Sequence, residues 1–462
     1  MPVVGAVMVP HPPILLPEVG RGEEKKISGT DRAYREAAEL IKDLAPETIV
    51  LISPHSVMYG DYFHISPGEN AQGDMRQFRA PQVKIRVDYD RTFVESLEKT
   101  ASKADFPAGT LGERKPELDH GTMIPLYYAN QYTQDYRLVR IGLSGLPLTD
   151  HYRLGQMIRQ TADSLCRRVV VIGSGDLSHK LRKDGPYGLS KEGPEYDERI
   201  MDVMGRAAFD GLFDFDEIFC DKAAECGHRS FCIMAGALDG LELETRELSH
   251  EGTFGVGYGV CTYRVTGESS SRHCLEIWKN RQRKSLEEKR REEDDYVRLA
   301  RATIISWVGE KRRPSLPENL PEEMLKKRAG VFVSLHKDGR LRGCIGTIQA
   351  ARNSIAEEIV ENGISAATKD PRFSPVRPEE LDALEISVDV LGDPEKISSK
   401  EELDVKRYGV IVSKGFRRGL LLPNLDGIDS VDEQVSIALQ KAGLSAREKN
   451  FEMERFEVVR HV

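Results

Sequence analysis

Of the 11 histidines in this 462-residue chain, four stand in settings that suit chemistry. His11 lies in VPHPP, His55 in ISPHS, His120 in LDHGT and His179 in GSGDLSH. Imidazole titrates near ~6.5, so it gives and takes protons at neutral pH, and its neutral form ligates iron, copper or zinc. Two histidines and one carboxylate hold Fe(II) while leaving coordination positions open. Glu225, in AECGH, is the expected carboxylate. Its neighbour Cys226 is the alternative ligand, because a thiolate suits softer or borderline metals such as Cu(I) and Zn(II). Asp176 and Asp119 each either orient an imidazole or cap a turn. His228 either supports the site or starts a helix.

These side chains work together only if the fold gathers them. Val3–Val9, Thr48–Ile52, Arg137–Leu143 and Arg168–Ile172 read as strands. Asp31–Leu44, Thr92–Lys99, His151–Cys166, Glu195–Phe209 and Ser230–Leu241 read as helices. The alternation predicts an α/β unit with a mostly parallel sheet and helices on both faces. His11, His55 and His179 each follow a strand, and His120 comes just before a helix capped by Thr122. Loops beyond the carboxyl ends of such strands converge on one crevice, which brings distant histidines within reach of one another. A last strand is expected over Thr253–Tyr263. Its Gly255, Gly257 and Gly259 lie in a strand-like run with no helix after them, so they serve close backbone packing and not phosphate binding.

Composition narrows the partners. Hydrophobic residues make up 39% and charged residues 31%, and 66 Lys and Arg against 75 Asp and Glu leave a net charge of −9. That balance argues against nucleic acid and anionic membranes. No apolar run approaches the ~18 residues of a spanning helix, and the N-terminus lacks a basic leader. Seven cysteines with no CxxC pair make neither a disulfide framework nor a zinc ribbon, which points to a reducing cytoplasm.

At ~150 residues per domain the length allows two or three domains. The texture changes at Gly267–Arg272, so the expected units are 1–266, a charged linker and helix start over 267–289, and 290–462. The mixed charges of Lys279–Asp295 read as the solvated start of an amphipathic helix that buries Leu299, Ala302, Ile305 and Val308. Beyond it, Val331–Leu335 and Leu341–Ile348 flank Asp338-Gly339, a hairpin signal. A helix over Ile355–Thr368, strands at Leu384–Leu391 and Gly419–Leu422, and a helix from Asp432 to Ala442 closed by Gly443 complete a separate α+β domain.

Taken in order, VPHPPILLPEVG, ISPHS, LDHGTMIPL and GSGDLSH resemble the class III, LigB-type extradiol ring-cleaving dioxygenases and the related Memo-like proteins, over roughly residues 1–265. The resemblance implies an oxidoreductase that uses Fe(II) and O2 on a catechol-type substrate. It makes His11, His55 and Glu225 the metal ligands, His179 the base and His120 the acid. The Memo-like branch places a cysteine at the third ligand, a role that Cys226 fits. It implies the alternative of a metal-binding interaction module without ring cleavage, with zinc or copper in place of iron. Metal-assisted hydrolysis with the same ligands is a third reading. In the second half LRGCIGT, ATKDPRF, EISV and GLLLP resemble the AMMECR1 domain, which implies a fold but no reaction. There Cys344 is expected as a buried structural cysteine, and Arg342 and Arg372 either hold an anion or lock their own loops. The two domains together resemble the AmmeMemoRadiSam system, which implies a radical SAM protein partner. This chain has no CxxxCxxC motif and so carries no such cluster itself.

Overall fold

The computed structural model describes all residues except Met1, Pro116, Asp338, Asp426 and Arg447. The chain divides into two units, Met1–Asn280 and Arg281–Val462. In the first unit the elements run β1 (Val3–Val9), α1 (Ser28–Leu44), β2 (Thr48–Ile52), β3 (Asn70–Met75), β4 (Ala80–Asp88), α2 (Arg91–Lys103) and α3 (His120–Ala129). There follow β5 (Arg137–Ile141), α4 (Leu148–Leu165), β6 (Val169–Ser174), α5 (Glu192–Gly205), α6 (His228–Ala237), β7 (Leu241–Glu251) and β8 (Tyr258–Glu268).

The runs VVGAVMV, TIVLI and VVVIGS are almost continuously apolar, as strands buried on both faces must be. They form the centre of a six-stranded sheet in the order β5-β2-β6-β1-β8-β7. β5, β2, β6 and β1 are parallel, and β8 and then β7 add antiparallel at one edge. Alternate side chains enter two cores. Met8, Val50 and Ile52 meet Phe93 of α2, Ile158 of α4, Ile200 of α5 and Phe231 of α6. Val9, Ile49 and Leu51 meet Ile41 of α1 and Ile124 of α3. The helices therefore cover both faces, as the sequence pattern predicts.

α4 and α6 touch backbone to backbone. A Cβ on Gly236 would sit 2.0 Å from the Tyr152 carbonyl oxygen, and one on Gly155 would sit 2.1 Å from the Ile233 oxygen. Gly236→Ala gains about 1 kcal/mol of helix propensity but must force two rigid helices apart, which costs more. The expected net loss is about 1–3 kcal/mol by chemical denaturation; a stabilised variant would mean that the helices separate freely.

Some expectations shift. The last strand begins at Tyr258 and not Thr253, because Gly252–Gly255 close a turn and Gly255 takes φ +84. The glycines do serve packing, since a Cβ on Gly257 would meet Asp197 Oδ2 at 2.0 Å. The hairpin β3–β4 and strand β7 are additions to the sequence reading. α3 starts at His120 itself and is capped by Asp119, not by Thr122: the Thr122 N–H donates to Asp119 Oδ1 at 2.9 Å.

The charged stretch is helical as α7 (Cys274–Glu292), but it does not run on into the apolar stripe. Asp294 accepts from the N–H groups of Tyr296 and Val297 and starts a separate helix, α8 (Asp295–Glu310). That cap sets the phase, so Val297, Ala300, Ile304 and Val308 are buried while Ala302 and Ile305 face outward. The second unit continues with β9 (Val331–Lys337), β10 (Arg340–Gly346), α9 (Ile355–Thr368), β11 (Leu384–Leu391), β12 (Glu395–Ile397), β13 (Tyr408–Lys414), β14 (Arg417–Leu421), α10 (Val431–Lys441) and β15 (Glu452–His461). Its antiparallel sheet has the order β10-β9-β11-β15-β13-β14, with β12 also on β15. β9 and β10 pair as the hairpin signal predicts, although Asp338 of the turn lies outside the described residues. Both arginines are engaged locally, Arg342 with Glu380 at 2.9 Å and Arg372 with Asp370 at 2.7 Å. Cys344 is partly exposed, not buried, and its sulfur accepts from Ser334 Oγ at 3.2 Å. All seven cysteines are free. Among the described residues no helix is long and apolar enough to cross a membrane.

Candidate metal centre

β1, β2 and β6 end side by side, and the loops leaving them bring the histidines together. The His11 ring lies 4.7 Å from that of His55 and 5.3 Å from that of His120, and His55 and His120 are 4.1 Å apart. His11 is buried, whereas His55 reaches solvent, so the basin opens on the His55 side. Nε2 of His11 and Nε2 of His55 are 3.0 Å apart, and Cys226 Sγ is 3.6 Å from the former. Ligand atoms of His11, His55 and Cys226 all lie within 4.8 Å of one another.

The surroundings fix which nitrogen of His11 is available. Ser174, the last residue of β6, donates its one hydroxyl hydrogen to the Gly121 carbonyl at 2.7 Å. Ser174 Oγ can then only accept from His11 Nδ1–H, 3.0 Å away, which leaves a lone pair on Nε2 facing the basin. The His11 backbone is held as well, its N–H donating to Asp176 Oδ1 at 2.7 Å. Asp176 thus fixes the backbone of a histidine where the sequence left a choice between an imidazole and a turn.

Glu225 and Cys226 part ways. The left-handed backbone of Ala224 (φ +55) turns the chain, and Cys226 N–H then donates to the Asp176 carbonyl at 3.3 Å. The Asp176 N–H points back at Cys226 Sγ, also at 3.3 Å. Glu225 Oε2 instead accepts from the His228 N–H at 2.7 Å, at the start of α6. The Glu225 carboxylate is therefore engaged at a helix start, and it is the Cys226 sulfur that lies beside His11 and His55. His228 opens α6, its ring tied to Tyr196 Oη and the Leu212 carbonyl, and it takes no part in the basin.

Burial and mutual repulsion set the charges. Burial and the neighbouring His55 take the His11 pKa down to about 3, and burial with His11 and His55 takes His120 down to about 4. His55 is lowered by its partial burial, and burial pushes the Cys226 thiol well up. The basin thus presents uncharged imidazoles with lone pairs available at neutral pH, which is what a divalent cation requires; a cation in turn favours the thiolate. The donor set fits a metal. His179 comes close enough to lower both His11 and His55, and among the described residues its buried Nδ1 has no hydrogen-bond partner. The Tyr187 ring stands edge-on to it at 5.1 Å.

Behind the histidines, Asp119 anchors a second layer whose other members, Ser53 and Arg140, went unread in the sequence. Asp119 Oδ1 accepts from Ser53 Oγ at 2.5 Å, and Ser53 Oγ in turn accepts from the His55 N–H at 3.2 Å. The buried Arg140 lies 3.8 Å from Asp119 and donates to Ser66 Oγ and the carbonyls of Glu117 and Lys115. Arg140 interrupts the buried apolar run Leu138–Ile141, and that misfit was the signal available for it.

Residues 5–261 match the family described as the catalytic LigB subunit of aromatic ring-opening dioxygenase, and residues 297–461 match AMMECR1. Protein CA_C1420 of Clostridium acetobutylicum is 39% identical over 479 residues, covering 100% of this chain and 99% of its own. A Thermotoga maritima protein is 49% identical over 170 residues, covering 37% of this chain and 98% of its own. Of solved structures, uncharacterized protein PH0010 from Pyrococcus horikoshii is 32% identical, covering 36% of this chain and 88% of its own at a TM-score of 0.34. Uncharacterized protein JW3007 from Escherichia coli K12 is 14% identical, covering 56% and 99% at a TM-score of 0.39.

Proposed function

The chain belongs to the family of the catalytic LigB subunit of aromatic ring-opening dioxygenases, with an AMMECR1 domain fused behind it, and on that premise we propose that its first unit is a metal-dependent oxidoreductase acting on a small aromatic substrate that chelates through oxygen. The supporting observation is the convergence of His11, His55 and Cys226, with His120 against the same rings. A bound divalent ion, with Fe(II) the leading choice and zinc or copper the alternatives, would supply Lewis acidity and, if redox-active, electron transfer to O2.

The chain's own residues do the rest. His11, held by Ser174, and His55 offer neutral nitrogens, and Cys226 offers sulfur. Three protein ligands leave room for a bidentate substrate. His179 takes the proton of a substrate hydroxyl, and its unpartnered buried Nδ1 marks an imidazole not committed to the fold. His120, kept neutral by burial and set against the His55 ring, passes a proton on as the acid. A second reading, a metal-binding module that no longer cleaves rings, is favoured by Cys226, because sulfur replaces the carboxylate that Fe(II) prefers.

Anaerobic loading with Fe(II), followed by O2 and a panel of catechols, tests the proposal: yellow ring-opened products are expected, and silence with metal bound would favour the second reading. His179→Ala should lower turnover by about 100-fold or more, the usual weight of a general base, while metal content stays at the wild-type level. Equal loss of metal would make His179 a ligand instead.

A further inference from the structure

His120 and His179 are each faced by an aromatic ring carried on an excursion from the sheet. Phe78 sits on the turn Arg76–Phe78 at the tip of the β3–β4 hairpin, its ring 5.3 Å from His120 at 70°. Tyr187 sits on the loop between β6 and α5, 5.1 Å from His179 at 85°. Both excursions are pinned. Leu118 N–H donates to the Gln72 carbonyl at 3.0 Å, which fastens the hairpin beside the start of α3. The Tyr187 loop is closed by a Leu181–Leu189 bridge, by Arg182 on the Thr253 carbonyl, and by Gly185 packed on Gly255. Yet Tyr187 is 61% exposed, so burial does not account for an aromatic ring held in that place.

We propose that Phe78 and Tyr187 are the specificity-determining residues of this basin: their rings wall the approach to His120 and His179 and select a planar aromatic chelator over a non-aromatic chelator of the same denticity. The assignment rests on the oxidoreductase reading above and defines the substrate beyond its chelating oxygens. An aromatic ligand entering between the two rings meets them edge to face or stacked, each contact worth up to roughly tenfold in affinity, while a small aliphatic chelator reaches the metal without touching either.

Equilibrium binding without oxygen tests this apart from turnover. The full chain, loaded anaerobically with Fe(II), is titrated with 4-nitrocatechol, followed by its visible spectrum, and with acetohydroxamate in competition. Phe78→Leu and Tyr187→Ala should each weaken 4-nitrocatechol by about tenfold and leave acetohydroxamate within about twofold, with metal content unchanged and Tyr187→Phe close to wild type. Unchanged 4-nitrocatechol affinity in both variants, or equal weakening of both probes, would overturn the assignment. If the variants behave as expected but wild type opens no ring in air, the oxidoreductase reading fails and the assignment stands. If wild type opens rings and the variants bind like it, the reverse holds. Wild type that carries metal but binds no 4-nitrocatechol would sink both.

Discussion

A Cys226→Ala variant is expected to bind metal more than about 100-fold more weakly than wild type, beyond the ~10–100-fold that loss of an outer-shell partner costs. Glu225→Ala should keep its metal. The difference follows from the turn at Ala224, which aims adjacent side chains in opposite directions: Sγ lies 3.6 Å from His11 Nε2, while the Glu225 carboxylate holds the His228 N–H at 2.7 Å. Burial lifts the Glu225 pKa to about 7, against the hydrogen bond from the His228 N–H and the charge of Arg229. Its removal is expected to cost about 0.5–2 kcal/mol of stability, on the scale of a lost helix cap. Metal analysis of the two variants purified side by side decides the matter. Metal lost from Glu225→Ala and retained by Cys226→Ala would return the third ligand to the carboxylate.

Asp119→Ala should lower the stability of the first unit by about 3–5 kcal/mol, the range for breaking a buried ion pair from one side. Arg140 is 1% exposed and would keep its carbonyl and hydroxyl partners but lose the negative charge of Asp119, at 3.8 Å. Burial alone would raise the Asp119 pKa, yet hydrogen bonds from Ser53 and Thr122 together with the Arg140 charge hold it below the usual carboxylate value, so the pair is ionised at neutral pH. The same substitution uncaps α3 at His120 and releases Ser53 from its hold on the His55 backbone. Asp119→Asn retains a cap and should fall between the two. Denaturation of the full chain, followed at the first unit's transition, gives the value; a loss below about 1 kcal/mol would show that Arg140 needs no counter-charge.

Much of this was legible in the residues. β1 and β2 have the predicted bounds because four or more apolar residues between turn formers leave little choice. Three of the four histidines follow strands whose order in the sheet brings their ends together. The choice between Glu225 and Cys226 was not legible: neighbours on a turn differ only in direction, and one left-handed residue, Ala224, sets that direction. The β3–β4 hairpin escaped as well. Its first strand is mostly polar, although the second alternates with Val83, Ile85 and Val87 buried, and its tip, Arg76–Phe78, is a helical turn and not an Asn-Gly or Asp-Gly pair. In the apolar stripe of α8 Leu299 and Val308 are buried as expected but Ala302 and Ile305 are not, because the cap at Asp294 restarts the helix and a periodicity carried through from α7 loses its phase there.

The sheet order has a consequence for synthesis on the ribosome. β1 is made first, yet both its neighbours, β6 and β8, are distant in the chain, and β8 ends only at Glu268. The N-terminal segment that carries His11 must wait unpaired until β6, which ends at Ser174, has emerged, and it is paired on both sides only after β8, more than half-way along the chain. Nascent chains released before Cys226 has emerged lack one side of the basin, so the candidate metal centre is assembled only about half-way through translation or later.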